Sequence, residues 1–239
     1  EYTSNPDLYF DRVCVECNYL DAVKLVNWDS YIPENARILD LAGGTGWLSA
    51  YLSTFKKVKN ITIIDASKNY LEVNMPVSVR KLNGSQEKIK AIQGYFAPLL
   101  VEDNSYDMVV VSSSLHHADN LGEVIKELHR VLVPGGKCMI LNETPAGNVA
   151  YLKTMLMAFV RIFTRTLKQT FMYTSPSISS SGFLYDPLLG DRMFPDWYWV
   201  KAIELAGFKL EKRIDSNMAT VKNMKGTSLV HYVCSKGKN

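Results

Sequence analysis

The chain reads as an α/β protein built on a doubly wound, mostly parallel sheet with helices on both faces. Three observations predict this. Short apolar strands recur at 37–41, 61–65, 88–93, 106–112 and 137–142, with the near-continuous hydrophobicity of strands buried on both sides. Helical stretches alternate with them, which is the rhythm of a parallel sheet. A glycine-rich turn, Gly43-Gly44-Thr45-Gly46, follows the first strand, and an acid, Asp65, ends the second. In such sheets ligands sit at the carboxyl ends of the strands, where the strand order reverses.

The elements follow in order. Residues 7–27 place Leu8, Phe10, Val13, Cys17, Leu20, Val23, Leu25 and Val26 at roughly helical spacing after Pro6, which predicts an N-terminal helix. Arg37 to Leu41 is the first strand, and a helix resumes at Trp47-Leu48-Ser49-Ala50-Tyr51-Leu52. Ile61 to Asp65 is the second strand. Ser67 is placed to cap the next helix, and Pro76 to kink or end it. Lys88 to Gln93 and Tyr106 to Ser112 are the third and fourth strands. Residues 119–132 put Leu121, Val124, Ile125, Leu128, Val131 and Leu132 on one helical face. Pro134-Gly135-Gly136 turns the chain into a fifth strand, Lys137 to Asn142. After Glu143 the rhythm breaks. Residues 147–172 read as a long helix and Thr174 to Gly182 as a flexible, serine-rich turn. Asp196 is placed to cap a helix over 197–206 ended by Gly207, and Phe208 to Ile214 and Thr227 to Cys234 read as two strands. There is no internal repeat.

The composition sets bounds. A chain of 239 residues suits one full-sized domain. With 47% hydrophobic and 21% charged residues, disorder, collagen and coiled coil are excluded. A net charge of +3 argues against a dedicated nucleic-acid binder. That charge is unevenly spread: residues 1–143 hold 14 basic and 18 acidic side chains, and residues 144–239 hold 13 and 6. Four cysteines are too few for a disulfide scaffold, and Cys14-x-x-Cys17 lacks a second ligand pair for zinc, so no metal site is expected. Free thiols suit a reducing cytoplasm. No signal peptide is visible, and the start at Glu1 without Met reads as trimmed. No apolar run approaches the ~20 residues of a spanning helix.

Glycines at 43, 44 and 46 let the backbone turn sharply and lie against a ligand, and the helix that follows favours a negative group. Asp65, 21 residues beyond Gly44, can accept both hydroxyls of a ribose. The dinucleotide fingerprint is not met, because Ser49 stands where its third glycine belongs. The Lys-Ser/Thr signature of a phosphate loop is also absent. Asp40, just before the turn, suits an ammonium group, directly or through water. A ligand with a ribose, a carboxylate and an ammonium group but no phosphate is S-adenosylmethionine.

Ile38-Leu39-Asp40-Leu41-Ala42-Gly43-Gly44-Thr45-Gly46 resembles the first motif of class I S-adenosylmethionine-dependent methyltransferases. Ile63-Ile64-Asp65-Ala66-Ser67 is similar to their ribose motif, Tyr106 to His117 to their fourth motif, and Leu128 to Gly136 to the helix and turn before their fifth strand. The subgroup is that of quinone-ring and other small-molecule methyltransferases. The resemblance implies a seven-stranded Rossmann-like sheet with an antiparallel last strand. It implies one domain: a helical cap (1–36), a cofactor core (37–143), a lid insertion (144–194) and a final helix and strand pair (195–239). It implies S-adenosylmethionine as cofactor and S-adenosylhomocysteine as product, held by Asp40, Ala42, Gly43, Gly44, Gly46, Asp65, Ala66, Ser67, Gly94, Tyr95, Phe96, Ser112 and Ser113. Two places depart from the family: Ala42 where glycine is usual, and Gly94-Tyr95-Phe96 where Gly-Asp often holds the adenine. A Tyr–Phe pair can stack on the adenine instead.

Methyl transfer from a sulfonium needs in-line orientation, which can supply ~7–11 kcal/mol, and a base only for a hydroxyl or acidic carbon. His117 and His116 follow the fourth strand on the acceptor side and are candidate bases; shaping the pocket is their other reading. Glu143, ending the fifth strand, is a candidate acceptor contact or base, or a loop carboxylate in water. Tyr9 and Tyr19 are placed to close over the cofactor. His129 reads as surface, His231 as structural, and Trp197 and Trp199 as packing residues. Residues 144–185 carry Lys153, Arg161, Arg165 and Lys168 and no acid, the four basic side chains falling on one helical side. This helix is read as a lid, as the contact for an anionic or lipid-linked small-molecule acceptor, or as a peripheral membrane or partner surface. No nucleic-acid partner is expected. Two other readings remain: a nicotinamide-dependent oxidoreductase on a similar sheet, and a methyltransferase-like binding module whose adenine pocket has decayed.

Overall fold

The computed structural model describes residues 5–149, 151–153, 155–157, 160, 177–178, 184–185, 192, 194–220 and 228–238. Five parallel strands, β1 (Ala36–Leu41), β2 (Val58–Asp65), β3 (Ile89–Gln93), β4 (Tyr106–Ser112) and β5 (Leu132–Glu143), join β8 (Phe208–Ala219) and β9 (Ser228–Lys236) in one sheet. Its order is β3-β2-β1-β4-β5-β9-β8. β9 runs antiparallel to both neighbours, so six strands share one direction and the last opposes them. The order reverses between β1 and β4, which places the crevice at their carboxyl ends.

Both faces of the sheet are covered. Leu39, Val109, Val111 and Ile140 pack with Ile125 and Leu128 of α6 (Leu121–Val131) and with Trp199 and Ile203 of α7 (Asp196–Leu205). Ile38, Ile63, Met108, Val110 and Met139 pack with Leu48 and Leu52 of α4 (Trp47–Leu52) and with Met75 and Val79 of α5 (Met75–Lys81). Alternate residues of one strand thus enter opposite layers, which is why these strands read as unbroken apolar runs. Across β1 and β4, at the end away from the crevice, the Arg37 guanidinium and backbone N–H donate to both oxygens of Asp107.

The N-terminal segment differs from the single helix expected. It is split into α1 (Pro6–Asp11), a π-helical turn (Arg12–Glu16), α2 (Tyr19–Lys24) and α3 (Trp28–Tyr31). Asn18, at a φ of +59°, makes the break. Its side chain donates to Ala219 O at 2.8 Å, a bond that a continuing helix would not allow. Cys14 is buried and both cysteines of the C-x-x-C are free thiols. No metal-binding cluster occurs among the described residues.

Four further expectations change. Pro76 does not end its helix: helical backbone runs on from a π-helical turn (Tyr70–Asn74) into α5, with Asn74 and Met75 both right-handed helical, and the change from π to α geometry falls just before Pro76. The Pro134-Gly135-Gly136 turn lies inside β5, with Gly135 at a φ of +80°. Asp196 does not cap its helix; its carboxylate accepts from Tyr232 Oη and Arg213 Nε instead. His129 is not free on the surface but packs edge-on against Phe208, ring centroids 5.0 Å apart.

Beyond β5 the described residues from 148 to 160 are helical. Val149 is 83% exposed, and Leu152, Leu156, Met157 and Val160 are exposed as well. Ser177–Ile178 (β6) pairs antiparallel with Leu184–Tyr185 (β7), so part of the expected turn is a short ribbon. Arg161, Arg165, Lys168 and the rest of the expected 147–172 helix lie outside the described residues. No helix among the described residues is long and apolar enough to cross a membrane.

Candidate active site

A cavity of about 360 Å³ opens where β1 and β4 diverge, within the ~300–1,000 Å³ range of small-molecule sites. Its wall comes from four strand ends: Leu41 to Thr45 after β1, Ile64 to Ala66 after β2, Gly94 to Phe96 after β3, and Ser112 to Ser114 with His117 after β4. Trp47 and Tyr70 add to it, and Tyr9, Val13 and Tyr19 complete it from the N-terminal helices.

Asp65 joins two of these loops. Its Oδ2 accepts from Gly44 N and its Oδ1 from Ser67 N, both at 2.8 Å. Each carboxylate oxygen carries two lone pairs, so the bonds fix the carboxylate and leave acceptor sites for a diol. Gly43 must be glycine, because a Cβ there would lie 2.6 Å from Ile63 and 3.0 Å from Asp40 Cγ. Ala42 adopts a φ of +50°, a left-handed conformation that glycine accepts at no cost. This is the physical content of the Ala42 departure.

Asp40 lies beneath the glycine turn, fully buried. Its Oδ2 accepts from Ser49 Oγ at 2.7 Å, and its Oδ1 has no partner among the described residues. Burial pushes its carboxyl up to about 7, against the lowering effect of the Ser49 bond. Ser49, standing where a dinucleotide site would have its third glycine, is thus committed to holding an acid. A pyrophosphate would meet that acid unfavourably.

At the other side of the cavity, His117 lines the wall and His116 does not. The two rings are 4.2 Å apart, centroid to centroid. His116 Nδ1 is 2.8 Å from Glu143 Oε2, and Glu143 Oε1 accepts from Ser114 N and Leu115 N at 3.2 and 3.1 Å. Glu143 is completely buried, behind the wall rather than in it, so the structure corrects its placement as a direct acceptor contact. Arg192 holds the same turn from outside: its backbone N–H donates to His116 O, Nη1 to His117 O, and Nη2 to Asp119.

Of the residues singled out in the sequence, Ala42, Gly43, Gly44, Asp65, Ala66, Gly94, Tyr95, Phe96, Ser112, Ser113 and His117 meet in the cavity wall. Asp40, Gly46, Ser67, His116 and Glu143 are not among the wall residues. Tyr95 is 76% exposed at the rim. Tyr9 stacks on Tyr70 with ring centroids 5.4 Å apart, and Tyr19 Oη lies 2.7 Å from Ser113 Oγ. Trp199 is buried, as a packing residue is, whereas Trp197 is exposed. Thr45, Trp47, Tyr70, Val13 and Ser114 are wall residues the sequence did not single out. Val13 follows Tyr9 by one helical turn, a spacing that could have found it. Tyr70 reaches the wall through a π-helical turn that no local spacing announces.

The family model for a methyltransferase domain matches residues 39–140. Demethylmenaquinone methyltransferase from Staphylococcus aureus (strain JH9) is 31% identical over 139 residues, which cover 58% of this chain and 55% of that protein. The chain thus spans about half the length of the curated relatives it matches. A solved S-adenosylmethionine-dependent methyltransferase from Methanosarcina mazei superposes with a TM-score of 0.63 at 19% identity, covering 89% of this chain and 97% of that one. One from Aquifex aeolicus gives 0.58 at 15% identity, covering 94% and 92%. At these identities the structural matches speak to the fold.

Proposed function

We propose that this chain, whose residues 39–140 match a methyltransferase-domain family model, is a class I S-adenosylmethionine-dependent methyltransferase that transfers a methyl group to an amphipathic or anionic small-molecule acceptor. The single observation that carries the cofactor reading is the pair of acids flanking the glycine turn: Asp65 at its mouth and buried Asp40 with an unpartnered oxygen beneath it. A nucleoside that also carries an amino-acid group needs a diol acceptor and a negative charge near its ammonium, and these residues fit both needs. S-adenosylmethionine, when bound, supplies an electrophilic sulfonium methyl.

The chain's own residues do the rest. Asp65 accepts the ribose hydroxyls. The turn at 42–46 lets the backbone come close to the amino-acid moiety, with Asp40 compensating its positive end. Tyr95 and Phe96 offer aromatic faces to the adenine. Tyr9, Tyr19 and Tyr70 cover the cavity and exclude water. His117, in the wall after β4, orients the acceptor or takes its proton, while Glu143 and His116 hold the turn that carries it. Orientation is the larger part of the catalysis, because the methyl is already activated.

The acceptor's character rests on the helical residues described between 148 and 160. Among them, exposed Val149, Leu152 and Leu156 lie beside Lys153, at the head of a stretch with four basic residues and no acid. Such a helix suits an acceptor with an apolar body and an anionic head, and it suits peripheral contact with a membrane surface that presents one. The similarity to a protein named for demethylmenaquinone points the same way. A cytoplasmic location fits the free thiols. The test is transfer of label from methyl-labelled S-adenosylmethionine to demethylmenaquinol and to a panel of short aromatic acids. Label in either class supports the proposal. Label only in uncharged, water-soluble acceptors, or in none, overturns it.

A further inference from the structure

We propose that Asn142 and His231 form a latch that holds α2 against the sheet and sets Tyr19 in the wall of the cavity, which makes both of them positioning residues for cofactor binding. The proposal rests on the reading of that cavity as the cofactor site.

The latch begins at a bulge. Between Ile140 and Glu143 the pairing of β5 with β9 slips, three steps on β5 matching two on β9. Asn142 sits in the bulge at a φ of +55°, and its N–H turns out of the ladder. It donates instead to His231 Nδ1 at 3.0 Å. Because Nδ1 accepts, the ring proton of neutral His231 is on Nε2, which lies 3.0 Å from Ala22 O and donates to it. Asn142 Nδ2 donates to Tyr19 O at 3.3 Å and to Ser112 Oγ at 3.0 Å. Two carbonyls of α2, those of Tyr19 and Ala22, are thus held by side chains of β5 and β9.

The side-chain end of the same tyrosine faces the cavity. Tyr19 Oη lies 2.7 Å from Ser113 Oγ, and Tyr19, Ser112 and Ser113 all line the wall. Tyr19 is therefore pinned at both ends, its backbone by the latch and its hydroxyl by β4. Asn142 and His231 are 1% and 0% exposed. Burying two polar side chains is unfavourable unless their hydrogen bonds are made; both His231 nitrogens and Asn142 Nδ2 have partners, two of them carbonyls of the N-terminal helix, while Asn142 Oδ1 has none among the described residues.

The test is a double-mutant cycle in the full chain, read by titration calorimetry with S-adenosylhomocysteine and by hydrogen exchange of amides 22–26. Asn142→Ala is expected to weaken binding about ten-fold, the scale of losing one or two buried hydrogen bonds, and to speed that exchange at least as much. Tyr19→Phe alone weakens binding about three-fold. The double variant binds within two-fold of Asn142→Ala, because an open latch leaves the Tyr19 hydroxyl without effect. Should Asn142→Ala fold poorly, His231→Asn and His231→Gln serve in its place. Asn retains an acceptor for Asn142 N, and Gln a donor for Ala22 O, so both bind more tightly than His231→Ala. Additive losses in the cycle, or unchanged exchange in Asn142→Ala, overturn the latch. Absence of binding by the wild-type chain overturns the cofactor reading of the cavity, and the exchange arm then decides the latch alone.

Discussion

His116 Nδ1 lies 2.8 Å from one oxygen of the buried Glu143 carboxylate, whose other oxygen accepts the backbone N–H groups of Ser114 and Leu115. One side chain at the end of β5 therefore organises the whole turn after β4 that ends in His117. Glu143→Gln keeps the shape and an acceptor for Ser114 N and Leu115 N, but it removes the buried carboxylate charge and keeps the His116 contact only when the ring accepts at Nδ1. A loss of about 1–3 kcal/mol in stability is expected, with S-adenosylhomocysteine affinity changed less than three-fold because Glu143 is not in the wall. Thermal melting and calorimetry check this; an unchanged melting temperature contradicts it.

Asp40 gives a pH dependence. Burial raises its carboxyl from 3.8 to about 7 in the folded chain. A raised carboxyl favours folding where it is protonated, so its contribution is fully present below about pH 4 and is lost as pH rises through 7. Asp40→Asn keeps an acceptor for Ser49 without the charge. Its melting temperature is expected to exceed that of the wild type at pH 8, the difference closing by pH 4. Its affinity for the cofactor falls, because the negative charge under the glycine turn is gone. A difference that stays constant from pH 4 to 8 contradicts this account.

The glycine turn offers a pair of opposed substitutions. Ala42 holds a left-handed φ of +50°, so Ala42→Gly relieves strain of ~1–2 kcal/mol, offset in part by the freedom glycine adds to the unfolded chain. A net gain of about 0.5 kcal/mol is expected by denaturant titration. Gly46→Ala goes the other way: a Cβ would lie 2.6 Å from Met75 Cγ at a φ of +68°, and a loss above ~1 kcal/mol is expected. Equal stabilities for the two variants contradict this reading of the turn.

Much of this was legible in the sequence because it is local. Met108 and Val110 face one layer and Val109 and Val111 the other, and that double burial is what makes β4 an unbroken apolar run. The turn at 43–46 and the acid at 65 are set by neighbouring strands of one sheet. What escaped depends on distant partners. Glu143 reads as a strand-end carboxylate facing a ligand, but the bulge beside it and the turn 27 residues earlier draw it inward. Asp196 has the form of a helix cap, yet Tyr232 and Arg213 claim it from two other strands. The break at Asn18 follows from a bond to Ala219, 201 residues away.

Asp65, the acid proposed to hold the cofactor's ribose, is the centre of the cofactor reading. Its most direct test is calorimetric titration of S-adenosylhomocysteine into the purified chain and into Asp65→Ala. One site per wild-type chain and an affinity at least ten-fold weaker in the variant are expected, a loss of ~1.4 kcal/mol or more. No binding by the wild type, or equal binding by both, contradicts it.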